Sequence, residues 1–173
     1  EALARGVLQR TAEVKGVTEP AIQAAYGLVA IPARFALERR QWAEAAALVL
    51  PAKLGVDWEA FPHIAAIHAY AQAVGAARTG DLPAAEAAVA RLGELQKRLV
   101  QVPPPGPYVW STNVEALRLT AAGCLAQAQG DAAAALALLR AGAELADKAG
   151  KHPVTPSTVL PQRELLADYL LEL

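Results

Sequence analysis

The chain has 173 residues, a formal net charge of −1 and a hydrophobic share of 54%. That length suffices for one domain with a real core, and near-neutral charge with scattered basic residues excludes the electropositive stripe that nucleic-acid binding uses. About a quarter of the residues are Ala, which signals helix rather than membrane, and no uncharged apolar run approaches the ~18 residues of a membrane span.

In chain order, residues 2–14 place Leu3, Val7, Leu8 and Val14 on one helical face, and Gly16 ends that helix. Thr18 can cap a second helix with Pro20 in its first turn. That helix is expected to run to Arg39, with Pro32 kinking it or marking its true start. A short helix is expected over 41–50, before a loop opened by Pro51 and Gly55. Longer helices are expected over 58–79 and 82–100. "PPPGP" at 103–107 breaks the pattern, and helices over 108–129 and 132–149 follow. A Pro-rich connection leads to a last helix over 161–173. No period-two alternation persists, so the fold class is all-α, built from helical hairpins.

One turn is written twice, in "RTGDLPAAEAAVA" (78–90) and "AQGDAAAALALLR" (128–140). Gly80 and Gly130 can adopt the left-handed conformation that ends a helix. Asp81 and Asp131 can cap the next one. Ala85 and Ala135 then fall where the paired helices cross, and a small side chain there permits close approach.

A Gly-Asp corner with a small residue seven before the Gly and another five after it resembles the tetratricopeptide repeat. Ala73, Gly80 and Ala85 fit it, as do Gly123, Gly130 and Ala135. An earlier copy has Ala33 and Ala45 but carries Arg40 in place of the Gly. Val49, Val89 and Leu139 are the large apolar residues nine after each corner, and Leu166-Ala167 open a further copy. Corner spacings of about 40 and 50 residues exceed the ~34 of that family. The early aromatic is replaced by Val29, Ala69 and Leu119, and the closing Pro is missing.

The resemblance implies a right-handed α-α superhelix over 1–173, with hairpins at 19–50, 58–100 and 108–149. Residues 159–173 would form a half repeat, and helix 2–14 would belong to a preceding one. It implies a concave groove lined by Arg34, Glu38, Tyr70, Val74, Arg78, Thr120, Cys124, Gln127, Glu164 and Asp168. Such a groove takes a protein or peptide segment. The Lys/Asn/Arg set with which some members grip chaperone tails is absent, since Tyr70, Val74, Thr120 and Cys124 stand at the matching places.

No chemistry competes with that reading. His63 and His68 are five apart and so on different helix faces, which speaks against a metal pair. His152 lies in a Lys-His-Pro loop. Cys124, the single cysteine, excludes an internal disulfide and has no basic neighbour in sequence to activate it. Asp57/Glu59 and Glu164/Asp168 lack a catalytic context. No phosphate loop, dinucleotide turn, nucleophile elbow or zinc spacing occurs. Thus no enzyme activity, metal or cofactor is expected. "VPPPGPYVW" (102–110) reads as a stiff connector anchored by Tyr108 and Trp110 rather than a polyproline ligand, and Trp42 and Trp58 read as core.

Glu1 and the mid-pattern stop at "YLLEL" suggest a piece of a longer protein. The Ala content and an Arg excess over Lys suggest a GC-rich bacterial genome, so a soluble protein of the bacterial cytoplasm is expected, with no basic-then-apolar signal peptide. The expectation is a non-enzymatic interaction module. The alternative is a structural spacer or self-association scaffold, dimerising through 159–173.

Overall fold

The computed structural model describes Gly6 and residues 22–51, 56–101, 108–150 and 159–173. Apart from Gly6, the expected helix 2–14 lies outside these residues, as do the Thr18 cap, "PPPGP" and His152. Among the described residues there are seven helices and no strand. These are α1 (Ile22–Glu38), α2 (Trp42–Ala46), α3 (Pro62–Thr79), α4 (Leu82–Gln101), α5 (Trp110–Ala128), α6 (Ala132–Ala149) and α7 (Gln162–Glu172). The chain is therefore all-α, and no described helix is long and apolar enough to cross a membrane.

The helices differ in how they are buried. α4 hides one stripe, Ala85, Ala88, Leu92 and Leu95, and α6 hides Ala135, Leu139, Gly142 and Ala143, so each covers one side of the core. In contrast, α3 is buried along Ile64–Ala77 on most of its circumference, because it borders α1, α2, α4 and α5. Its many alanines suit this place. A helix surrounded by others must be thin, and Ala is the best helix former.

Three corners share one geometry at forty- and fifty-residue spacings. Arg40 (φ 55°), Gly80 (φ 81°) and Gly130 (φ 82°) are all left-handed. The amides of Gln41, Asp81 and Asp131 donate back to the carbonyls of Ala36, Ala76 and Ala126 at 2.8, 2.9 and 2.9 Å, closing the preceding helix. Asp81 and Asp131 accept from the amides of Ala84 and Ala134 at 3.1 and 2.9 Å, as caps. Gln41 provides no side-chain cap. Ala45, Ala85 and Ala135, each five after the left-handed residue, are fully buried.

Where the structure departs from the sequence expectations, a local cause is visible. Pro32 does not mark the start of α1, which runs from Ile22 through it to Glu38. The second helix of the first hairpin is not 41–50 but the five residues of α2. After it, the Leu48 carbonyl accepts from Nε2 of His68 and Nε2 of Gln72, both at 2.9 Å, so the segment is pinned to α3 instead of continuing to coil. Val49 is consequently 80% exposed, whereas Leu139, its counterpart, is fully buried. Helix α3 starts at Pro62 rather than residue 58, because a single 3-10 turn, Trp58–Ala60, is capped by the Asp57 carboxylate on the Glu59 amide. Trp58 is buried and Trp42 half-buried.

Glycines set three close approaches. A Cβ on Gly75 would lie 2.4 Å from the Ala46 amide nitrogen and 2.6 Å from the Trp42 carbonyl oxygen, so α2 rests on the bare backbone of α3. One on Gly123 would lie 2.7 Å from Leu139 Cγ, and one on Gly142 would lie 2.3 Å from Thr120 Oγ1, which brings α5 and α6 together in the third hairpin.

Candidate functional site

Several long-range polar connections gather where α7 meets the hairpins. α7 packs on α6 and α5 through buried Leu165 and Tyr169. It is then tied to earlier parts of the chain by side chains that span long sequence separations. Arg40 Nη2 donates to both carboxylate oxygens of Asp168 at 2.9 Å. Arg78 Nη1 donates to Glu172 Oε1 at 2.9 Å, and Gln127 Nε2 donates to the other oxygen of the same carboxylate. The Tyr70 hydroxyl donates to the Leu160 carbonyl at 3.2 Å, and the Tyr169 hydroxyl to the Ala132 carbonyl at 3.1 Å. Arg163 pairs with Asp147 at the outer rim.

Six of the ten residues named from the sequence lie in this seam or beside it. Tyr70, Arg78, Gln127 and Asp168 join it by hydrogen bonds. Cys124 and Glu164 lie beside it, Cys124 one turn before Gln127 on α5 and Glu164 one turn before Asp168 on α7. The other four lie elsewhere. Arg34 and Glu38 pair with each other at 3.7 Å at the surface of α1. Val74 is fully buried in the core of α3. Thr120 points at α6: its hydroxyl donates to the Ala116 carbonyl at 2.9 Å and stands over Gly142.

Tyr70, Val74, Thr120 and Cys124 are all 2% exposed or less, so they face protein and not solvent. Four further residues complete the seam: Arg40, Leu160, Gln162 and Glu172. Arg40 has a visible sequence signal, a charged residue where the repeated corner has Gly. Glu172 follows Asp168 by one helical turn. Leu160 and Gln162 have no such signal, because their role depends on where α7 docks.

The seam's electrostatics argue against covalent chemistry. Burial pushes the Cys124 thiol up to about 11, with Arg78 opposing that shift only in part, so the sulfur is neutral and a poor nucleophile at pH 7. Burial also raises the Tyr70 phenol well above its ordinary value. Elsewhere, His63 stacks on Trp110 with ring centroids 4.4 Å apart, and Trp110 meets Tyr108 edge-on at 4.8 Å. His68 is engaged by Leu48, and burial lowers its pKa below 6.5. Glu59 pairs with both Arg91 and Arg98, tying the turn before α3 to α4. Among the described residues no group of three metal-binding side chains forms.

The fold and site thus define an all-α protein of cornered helical hairpins, with a polar-rimmed seam holding its last helix. No protein-family model, curated protein or solved structure matches the chain.

Proposed function

We propose that this chain is a tetratricopeptide-like interaction module. Its hairpins would stack as a right-handed superhelix, with α1, α3 and α5 toward the inner side and α7 seated against it, and that side would bind a protein or peptide segment. The three equivalent corners at Arg40, Gly80 and Gly130 support the repeat reading. The observation that carries the binding reading is the seating of α7. Arg78 and Gln127, which belong to two different hairpins, jointly hold Glu172 of α7, and Tyr70 holds the Leu160 carbonyl just before it. A surface that accepts one such helix has the shape and charge to accept another.

Because Tyr70, Val74 and Cys124 are buried, substituting them would test folding more than recognition. Arg40 and Arg78 are better probes. The intact chain is used to retain partners from a lysate of its source organism, each partner is narrowed to a segment, and that segment is titrated calorimetrically. Stoichiometric binding that weakens at least tenfold in Arg40→Glu/Arg78→Glu supports the reading. Equal binding to both proteins, or no bound segment, overturns it.

A second reading, a self-association scaffold, has its own observation. Leu170, Leu171 and Leu173 stand 46%, 86% and 73% exposed on the outer side of α7. Light scattering over a concentration series tests it. A dimer that dissociates in Leu171→Glu/Leu173→Glu supports self-association through 159–173, and a monomer at all concentrations refutes it.

A further inference from the structure

We infer that α7 is a displaceable occupant of the inner face, and that the face's external ligand is an acidic helix with the same two apolar anchors. The inference rests on the interaction-module reading and gives it a ligand class and a means of control.

The charge pattern specifies the ligand. Asp168 and Glu172 lie one helical turn apart, and each carboxylate meets an arginine from a different hairpin, Arg40 at the first corner and Arg78 at the end of α3. Leu165 and Tyr169, one turn apart themselves, are the buried apolar anchors. A helix carrying Leu and an aromatic residue at i and i+4, with acids at i+3 and i+7, reproduces every one of these contacts. A basic or uncharged helix would leave Arg40 and Arg78 unpaired.

The seam also shows why α7 can leave. Among the described residues, four buried side-chain polar atoms lack a partner: Gln41 Oε1, Arg78 Nε, Gln127 Oε1 and Gln162 Nε2. All four belong to this seam or adjoin it. Arg78 and Gln127 hold Glu172, Gln41 follows Arg40, and Gln162 is the first residue of α7. Buried groups with unmet hydrogen bonds raise the free energy of the docked state. Leu160, just before α7, adds backbone strain, being a non-glycine residue at φ 47°. Gln41, Arg78 and Gln127 stand at or within three residues of the hairpin corners, at the ends that carry the ion pairs and hydrogen bonds to α7, so the docked state bears these unmet groups.

The full chain supplies its own reporter. Cys124 is the only cysteine and is buried one helical turn before Gln127, which holds Glu172, so its labelling by a thiol reagent reads the departure of α7. Labelling rates are measured for wild type and for Asp168→Asn/Glu172→Gln across low denaturant, with far-UV circular dichroism confirming that the other helices stay formed. If the double variant fails that check, the single Asp168→Asn is used. The expected result is labelling at least tenfold faster in the variant, well before global unfolding. A synthetic peptide of residues 159–173 should then restore protection, and the same peptide with Asn and Gln at 168 and 172 should restore it at least tenfold less well.

Three results overturn the inference, and they separate it from the reading beneath it. If Cys124 is labelled only in step with global unfolding, α7 is a fixed part of the fold, and the binding reading is untouched. If α7 departs but both peptides protect equally, the acidic ligand class is wrong while the face still binds helices. If α7 departs and neither peptide protects, the inner face binds no helix of this kind, and the interaction-module reading falls with the inference.

Discussion

The Tyr70 hydroxyl, midway along the most buried helix, donates at 3.2 Å to the carbonyl of Leu160, ninety residues later, at the strained approach to α7. This bond fixes where the last helix begins. Removing it with Tyr70→Phe leaves a buried carbonyl short of a partner and should cost about 1 kcal/mol, read from urea unfolding. Thiol labelling of Cys124 should quicken in the same variant. An unchanged urea midpoint would show that the bond contributes nothing to docking.

The three corners make a prediction about sign. Ala at Gly80 or Gly130 would hold a Cβ in the left-handed region and should destabilise by about 1–2 kcal/mol. Arg40 already bears that cost, yet it also pairs with Asp168. In an Asp168→Ala background, where the pair is gone, Arg40→Gly should therefore stabilise the chain by about 1 kcal/mol. Destabilisation in that background would contradict the equivalence of the corners.

Two other glycines should respond in opposite directions to the same substitution. Gly75→Ala would drive a methyl group into the backbone of α2, which no rotamer change relieves, and should cost about 2–3 kcal/mol. Gly93→Ala meets only the flexible Arg118 side chain, at 3.6 Å, and should stabilise α4 by about 0.5–1 kcal/mol through helix propensity. Thermal melts of the two variants beside wild type decide both.

His68 makes stability depend on pH. Burial lowers its folded-state pKa below the unfolded 6.5, outweighing the bond to Leu48, so the unfolded chain binds the extra proton more readily. The stabilising contribution is complete above pH 6.5 and is lost as pH falls through the lower folded value. Urea midpoints should drop between pH 7.5 and 5.5 in wild type, and His68→Gln should flatten that drop. An equal drop in both proteins would assign the effect to another group.

Much of the fold was legible in the sequence because its signals are local. The left-handed Gly80 and Gly130, the capping Asp81 and Asp131, and the small Ala45, Ala85 and Ala135 each follow from residue chemistry within one corner. Arg40 stood out as the exception to the pattern and proved left-handed all the same. The end of α2 was not legible, because it depends on His68 and Gln72 reaching back twenty or more residues to the Leu48 carbonyl. Thr120 was assigned to the groove from the resemblance, but it faces α6 because Gly142 leaves room for its hydroxyl there.

By itself, then, the sequence determined helices, corners and the small residues at crossings, since backbone conformation and capping are governed by neighbours a few positions away. Only the tertiary structure decided which faces stay wet. Tyr70 and Cys124 carry no local mark of burial. They are buried, Tyr70 with its hydroxyl on the Leu160 carbonyl just before α7, and Cys124 one turn before Gln127, which holds Glu172 of α7. Desolvation is a property of what else packs on a face, and here that depends on a helix more than thirty residues away in the chain.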